Sequence, residues 1–279
     1  MHSHLLFGRY NLPLHGEGFR PRVMGILNVT PDSFSDGGQY QSLEYALSHA
    51  EQMIRDGVDI IDVGGESSRP GAPPLPLEQE LQRVMPVLYA LRDLGKPVSV
   101  DTYKPQVMRE AVIAGVDMIN DINAFRAPGA IEAVRDSDCA LCIMHMQQDP
   151  QTMQQAPEYA DVVGEVSAFL RERVVALTTA GIDPRRICID PGFGFGKTVG
   201  HNYALLKASG QMIRALELPL LAGLSRKSMI GAVTGKPVEQ RLAGSLAGAL
   251  VAVAQGALIV RVHDVAETVD ALKVWQAAQ

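Results

Sequence analysis

The segment VSVDTYKPQVMREAVIAGVDMIN, residues 98–120, contains the repeating unit from which the fold can be predicted. An apolar, β-branched run ends at Asp101, a helical periodicity spans residues 104–114, and a second apolar run covers residues 118–120. Nearly continuous apolar strands that end in a polar residue and are joined by a helix are typical of a parallel sheet covered on its outer face. The segment therefore predicts one unit of an α/β protein.

The same alternation of strand and helix recurs along the chain. Eight strands are predicted, at residues 23–28, 60–63, 98–101, 118–120, 140–145, 187–190, 218–222 and 257–262. Helical periodicity lies between most of them, at residues 43–56, 78–94, 104–114, 162–180 and 240–254. Eight such units predict a closed (β/α)8 TIM barrel, forming a single domain over residues 1–279. An open doubly wound sheet is the alternative, but no G-x-G-x-x-G motif follows the first strand.

The composition is that of an ordinary globular protein, with 47% hydrophobic and 20% charged residues. A formal net charge of −6 means that the chain lacks the basic surface expected of a nucleic-acid-binding protein. Three cysteines argue against a disulfide scaffold and fit a reducing cytoplasm. Residues 1–10 lack the basic and apolar blocks of a signal peptide, so we expect a soluble cytoplasmic protein.

Residues 242–260 are uncharged over a length that could span a bilayer. Gln255 and Gly256 interrupt the stretch, which is therefore expected to be a buried helix, a turn and a strand rather than a membrane segment. Its helical part carries small residues that allow another helix to approach closely: Ala243, Gly244, Ala247, Gly248 and Ala252. We predict a homodimer that uses the late barrel helices, and a helix packed only on its own barrel is the alternative.

Polar residues follow the predicted strands at their carboxyl ends. They are Asn28, residues 66–69, Asp101, Asn120, His145, Asp190, residues 225–227, Arg261 and His263. A single Asp or Asn at such a position is as often a turn or a helix N-cap as a binding residue. Because the strands of a barrel open at one mouth, the whole set indicates an active site there. The loops at residues 30–38 and 67–75 are expected to be mobile without ligand, since they hold few apolar anchors.

The residues of this set fall into two groups that suit different parts of a ligand. One group suits a planar heterocycle such as a pterin or purine, whose ring N–H and amino groups donate to carboxylate and amide oxygens: Asp101, Asn120 and Asp190. The other group is cationic and polar and suits a phosphate or pyrophosphate: Arg69, Lys227, Arg261, His263 and Asn28. Asn28 is in addition a candidate oxygen ligand for Mg²⁺.

Other motifs favour structural interpretations. The segment GFGFGK, residues 192–197, lacks Walker spacing, and its glycines are expected to let the backbone approach a flat ligand on which Phe195 stacks. Cys139 and Cys142 have C-x-x-C spacing but point to opposite faces of a strand, which favours core packing over zinc. Four histidines are interpreted as non-catalytic, the first two in a mobile terminus: His2, His4, His145 and His201. Four arginines are interpreted as members of surface ion pairs: Arg171, Arg173, Arg185 and Arg186.

Seven motifs, in this order, resemble those of the dihydropteroate synthase family. They are GILNVTPDSFSDGG at 25–38, DVGGESSRPG at 62–71, VDT at 100–102, ND at 120–121, DPGFGFGK at 190–197, SRKS at 225–228 and RVH at 261–263. The similarity covers residues 22–270, and the first motif alone is highly specific. It implies a (β/α)8 barrel, and Mg²⁺-dependent condensation of 6-hydroxymethyl-7,8-dihydropterin pyrophosphate with 4-aminobenzoate to give 7,8-dihydropteroate and pyrophosphate.

The resemblance also implies roles for individual residues. The pterin would be bound by Asp101, Asn120, Asp190 and Lys227, and the pyrophosphate by Asn28, Arg69, Arg261 and His263, with Mg²⁺ at Asn28. Residues that would close over the aminobenzoate are Phe34, Asp36, Ser68, Pro70 and Ser228. Ser68 stands where the family usually has Thr, which puts affinity for aminobenzoate and for its sulfonamide mimics in doubt.

Two other functions fit parts of the pattern. A methyltransferase barrel that takes a methyl group from methyltetrahydrofolate would use a similar heterocycle site but needs no pyrophosphate site, so Arg69, Arg261 and His263 favour the synthase. A non-catalytic pterin-binding paralogue is disfavoured by the presence of Asp36 and Arg69. Release of pyrophosphate that requires both Mg²⁺ and the amine would exclude both alternatives.

Overall fold

The computed structural model describes residues 2–16, 19–29, 38–67, 72–147 and 157–279. Within these ranges the strands form a two-stranded hairpin and an eight-stranded sheet. The hairpin strands are β1 (His4–Phe7) and β2 (Tyr10–Pro13). The sheet contains β3 (Arg22–Asn28), β4 (Ile60–Gly64), β5 (Val98–Asp101), β6 (Met118–Asp121), β7 (Ala140–Met144), β8 (Ile187–Asp190), β9 (Leu221–Ala222) and β10 (Ile259–Val262).

Helices join the strands of the sheet and cover its outer face. They are α1 (Gly38–Arg55), α2 (Leu77–Leu91), α3 (Pro105–Ala114), α4 (Ala130–Val134), α5 (Val162–Thr179), α6 (Val199–Leu216), α7 (Ser228–Thr234), α8 (Leu242–Ala254) and α9 (Val265–Ala277). Short 3-10 turns lie at Pro184–Arg186 and Val238–Gln240. Among the described helices, every one is too short or too polar to span a bilayer.

The sheet closes on itself. Its strands pair in parallel in the order β8, β7, β6, β5, β4, β3, β10, β9, and a parallel bridge between Ile189 and Leu220 joins the two ends. Ile189 N also donates to Pro219 O at 2.9 Å across this seam. The predicted (β/α)8 barrel is therefore confirmed, and the open sheet is not formed.

The register of the strands brings the predicted site residues to one level. Asn28 lies opposite Gly64, Gly64 opposite Asp101, and Asp101 opposite Asn120. Asp62 lies one inward-facing position deeper on β4. Because side chains alternate along a strand, these residues point to the inside of the barrel near its carboxyl end.

The hairpin covers the amino-terminal end of the barrel, a feature absent from the prediction. Leu5, Phe7 and Leu12 pack in one buried cluster with strand residues of the barrel interior. Arg9 extends from the hairpin turn to the fully buried Asp117, with Nη2 and Oδ2 3.0 Å apart. The prediction of a mobile terminus was therefore wrong for His4, which begins β1.

Several predicted elements differ from the structure in their bounds or burial. β9 is shorter at its start, because Glu217 ends α6 in a left-handed conformation and Pro219 has no N–H to donate to a ladder. β10 starts later, since Ala257 N still bonds to Ala252 O in the turn that follows α8. α8 is buried on one side only, not throughout as was expected: Ala249 and Ala252 are buried, whereas Val251 is exposed.

Candidate active site

Arg261 lies at the centre of the barrel mouth, between two carboxylates. Its Nε is 2.6 Å from Asp62 Oδ2, and its Nη2 is 2.9 Å from Asp101 Oδ2. Asn120 Nδ2 is 3.4 Å from the same oxygen of Asp62. Asp62 is 0% exposed and Arg261 only partly, so this pair is shielded from water and fixes the guanidinium in one place.

Burial changes the protonation of these groups. It raises the pKa of Asp101 to about 7, against the opposing effect of Arg261. Burial also raises the pKa of Asp190, against the opposing effect of Lys227. Burial acts to lower the pKa of Arg261, but Asp62 and Asp101 together raise it above its ordinary value. A ligand that donates N–H groups to these carboxylates would favour their ionised form.

Lys227 and Asp190 approach Arg261 around a glycine. A Cβ placed on Gly223 would lie 3.8 Å from Lys227 Nζ and 4.0 Å from both Asp190 Oδ2 and Arg261 Cβ. The three residues therefore converge on the space beside Gly223. Burial lowers the pKa of Lys227 to about 8.

His263 follows β10 and is held by the segment that precedes Lys227. Ser225 Oγ accepts from His263 N at 3.2 Å and lies 3.0 Å from His263 Nδ1. Arg226, between Ser225 and Lys227, has a φ of 59° and pairs with Asp264, the residue after His263. The Lys227 and His263 segments are thus tied together, and Ser228 begins α7 beside them with an exposed side chain.

Asn28 ends β3 with its side chain exposed in the mouth. A Cβ on Gly64 would lie 3.6 Å from Asn28 Oδ1 and 3.9 Å from Asp101 Cβ, so Gly64 leaves space beside the amide. Among the described residues, no group of three His, Cys, Asp or Glu side chains could hold a metal ion. The amide oxygen of Asn28 is of the oxygen-ligand type that Mg²⁺ accepts beside water and substrate phosphates.

An apolar cluster borders the polar groups. Ile122, Met144 and Met146 form it, with Tyr103 and Phe195 packed against them. The Phe195 ring also lies beneath Lys227 Nζ, 4.6 Å from its centroid. Such a surface next to Asn120 and Asp190 suits the face of a flat heterocycle whose edge bonds to them.

The glycines of the 192–197 segment have a packing role that was not predicted. A Cβ on Gly192 would lie 1.9 Å from His145 O, and one on Gly196 would lie 2.8 Å from Gln147 Cβ. Both residues have positive φ values, 70° and 62°. They therefore let this loop pack against the backbone after β7, and Gly194 packs against the stem of Lys227.

Five predicted site residues lie outside the described residues: Phe34, Asp36, Ser68, Arg69 and Pro70. The same holds for most of the two loops that were expected to be mobile. The predicted residues that the structure does bring to the mouth are Asn28, Asp101, Asn120, Asp190, Phe195, Lys227, Ser228, Arg261 and His263.

The prediction of surface ion pairs holds for Arg185, which pairs with Asp183 at 2.5 Å. It is wrong for Arg186, which is buried and donates to the carbonyl oxygens of Cys139, Val134 and Arg135. Arg173 and Arg171 donate to backbone carbonyls as well. The C-x-x-C interpretation is confirmed: Cys139 and Cys142 are free and belong to separate buried clusters on the two faces of the sheet.

Comparison with known proteins identifies the family of enzymes to which a barrel with this site belongs. A model of the family described as "Pterin binding enzyme" matches residues 24–263. The chain is 52% identical over 258 residues to dihydropteroate synthase of Escherichia coli, covering 92% of this chain and 91% of that protein. It is 54% identical over 258 residues to dihydropteroate synthase of Haemophilus influenzae, covering 92% and 94%.

Solved structures agree. Dihydropteroate synthase of Burkholderia cenocepacia in complex with 7,8-dihydropteroate is 53% identical, with a TM-score of 0.89 over 99% of this chain and 96% of that one. The Xanthomonas albilineans synthase with 4-aminobenzoic acid is 52% identical, with a TM-score of 0.92 over 100% and 99%. The chain belongs to the dihydropteroate synthases, and is accordingly a transferase. The methyltransferase and non-catalytic alternatives are set aside.

Proposed function

We propose that this chain condenses 6-hydroxymethyl-7,8-dihydropterin pyrophosphate with 4-aminobenzoate, giving 7,8-dihydropteroate and pyrophosphate for folate synthesis. The observation that carries the proposal is the convergence of Asp190, Lys227 and Arg261 at the mouth of a barrel of this family. Acidic acceptors for a heterocycle and a fixed cation for a phosphate group lie side by side there.

The pterin edge would be bound by four residues. Asp190 and Asp101 accept from the ring N–H and amino groups, Asn120 can both donate and accept, and Lys227 donates to a ring acceptor. The cluster of Ile122, Met146 and Phe195 supplies the apolar surface for the ring face. Because Asp101 and Asp190 are buried, each gains more from such a donor than it would in water.

The pyrophosphate would be bound by Arg261 and His263 together with Asn28 and Arg69. Arg261 is held by Asp62 and Asp101, so it meets the phosphate oxygens without losing side-chain freedom on binding. Mg²⁺ bound at Asn28 would neutralise part of the negative charge that grows on the leaving pyrophosphate.

In the reaction, the bond between the pterin methylene carbon and the pyrophosphate oxygen breaks, the aminobenzoate nitrogen forms the new bond to that carbon, and the amine releases one proton to the solvent. Electron donation from the pterin ring activates the carbon, so no protein nucleophile is required. Arg261, Arg69 and His263 stabilise the departing charge. Asp36 would stabilise the cationic pterin, and the loop residues Phe34, Ser68 and Pro70, with Ser228, would close over the aminobenzoate and exclude water.

A homodimer and a cytoplasmic location are part of the proposal. Val251 of α8 and Val233 of α7 are apolar and exposed, which supports an interface on the late helices. The three cysteines are all free and buried, as suits a reducing compartment. Light scattering at micromolar concentration tests the dimer, and a monomer would contradict it.

The test of the activity is release of pyrophosphate by the purified protein. Release is expected only when the pterin pyrophosphate, 4-aminobenzoate and Mg²⁺ are all present, with one dihydropteroate formed for each pyrophosphate. Release that does not depend on the amine would indicate simple hydrolysis and would contradict the proposal. Arg261→Gln is the matched variant, because it keeps a polar side chain and removes the charge, and its pyrophosphate release should be slower.

A further inference from the structure

Lys197 is a buried lysine that no step of the reaction uses. It is 3% exposed, and among the described residues no carboxylate lies within ion-pair distance of it. Its Nζ instead bonds to three neutral acceptors: His145 Nδ1 at 2.9 Å, Phe195 O at 2.9 Å and His145 O at 3.3 Å. A buried ammonium is costly unless its donors are satisfied, so these three contacts explain how this lysine can be buried at all.

The three acceptors lie on two different parts of the barrel. His145 follows β7, and Phe195 lies in residues 191–197, here called the β8 loop. Lys197 therefore joins the β8 loop to the end of β7. Gly192 and Gly196 bring the two backbones close enough for this, as their contacts with His145 O and Gln147 show.

On its other side the β8 loop contacts Lys227. Lys227 Nζ donates to Phe193 O, and the same atom lies over the Phe195 ring. The loop is thus held at two points, by Lys197 to the end of β7 and by Lys227 of the mouth. A shift of the loop would move the Phe195 ring and the carbonyl partner of Lys227 together.

The protonation states are consistent with this arrangement. Burial lowers the pKa of His145 to about 3, so the ring is neutral near pH 7 and Nδ1 can accept a hydrogen bond. Burial lowers the pKa of Lys197 to about 7, with Asp190 opposing the shift. The His145 ring is kept in its orientation by an edge contact with Phe169, with ring centroids 4.9 Å apart.

We propose that Lys197 and His145 form a positioning pair that fixes the β8 loop, so that Phe195 and Lys227 are in place to bind the pterin. Neither member of the pair touches the substrate. The inference rests on the proposed role of Lys227 and Phe195 in pterin binding. If the pair served folding alone, its loss would lower stability without a specific loss of pterin affinity.

The test is calorimetric binding of 6-hydroxymethyl-7,8-dihydropterin pyrophosphate, with the melting temperature measured in parallel. Lys197→Met keeps the length of the side chain and removes its donors, and is expected to weaken pterin binding about tenfold, the effect of one hydrogen bond to a charged group. His145→Leu and His145→Asn form a matched pair. Both lose the ring contact with Phe169, but Asn places an oxygen near the position of Nδ1 and restores the acceptor.

We expect His145→Leu to weaken pterin binding like Lys197→Met, and His145→Asn to bind within about twofold of the wild type, while the two His145 variants melt at similar temperatures. Equal pterin affinity in the two His145 variants would overturn the inference. This comparison tests the positioning role even if Lys197→Met does not fold. Lys227→Met separates the two proposals. If Lys227→Met loses pterin affinity and Lys197→Met does not, only the positioning role fails; if neither loses it, the proposed pterin site fails too.

Discussion

Asp62 is the residue on which the position of Arg261 depends most. It is 0% exposed, and its Oδ2 lies 2.6 Å from Arg261 Nε. Asp62→Asn keeps the shape and an acceptor oxygen but removes the charge. Two unit charges about 4 Å apart attract by about 4 kcal/mol at the effective dielectric of such a site. Part of this is offset by the cost of burying the carboxylate, so we expect the free energy of unfolding to fall by about 2 kcal/mol.

Urea unfolding followed by circular dichroism measures this change. Glu51→Gln is the matched control, because Glu51 pairs with Arg55 at 3.8 Å while both side chains are more than half exposed; its effect should stay within about 0.5 kcal/mol. In kinetics, Asp62→Asn should raise the KM for the pterin pyrophosphate about tenfold, since Arg261 is no longer fixed. A variant as stable as the control, with an unchanged KM, would show that Arg261 does not depend on Asp62.

Three further outcomes are expected. Burial lowers the pKa of Lys227 to about 8, so kcat/KM for the pterin substrate should fall as pH rises through 8. In Lys227→Arg this decline should be absent. A decline at the same pH in both proteins would assign the titration to another group. Burial raises the pKa of Asp121 from 3.8 to about 7, so between those pH values the folded protein holds a proton that the unfolded chain has lost, and the free energy of unfolding should decrease as pH rises. Urea unfolding at several pH values should show a shallower decrease in Asp121→Asn, and an equally steep one would refute the assignment. Phe7→Ala removes a fully buried ring from the end of the barrel that the hairpin covers, and should lower the free energy of unfolding by about 3–5 kcal/mol. KM values measured well below the melting temperature should stay unchanged. Altered KM values would mean that the hairpin influences the distant mouth.

Much of the mouth could be predicted because its residues end apolar strands. Asp101, Asn120 and Asp190 each follow a short β-branched run, and the rule that parallel strands open at one end places them together. Asp62 could not be found in this way, since it lies inside β4 and not at its end. Its role depends on a contact with Arg261, which lies 199 positions further along the chain. The only local indication that Asp62 has a role in the site was the presence of a carboxylate within an otherwise apolar strand.

The hairpin and the buried arginine illustrate the same limit. β1 and β2 have four residues each, too few for a periodicity to show, and they are stabilised by barrel residues from distant strands. Arg186 was assigned to the surface from its residue type, but backbone carbonyls of another segment satisfy its donors. The glycines of the β8 loop were predicted to matter for close approach, yet the backbone they approach is that of His145 and Gln147.

The central claim is that the barrel mouth is divided into a heterocycle part at Asp190 and an anion part at Arg261. Calorimetry of two ligands, the pterin pyrophosphate and the same pterin without pyrophosphate, tests this most directly. Arg261→Gln should bind the pyrophosphate ester about a hundredfold more weakly and the free pterin only about tenfold more weakly, since Asp101 loses its partner as well. Asp190→Asn should lose affinity for both ligands equally. Equal losses for both ligands in Arg261→Gln would contradict the division of the site.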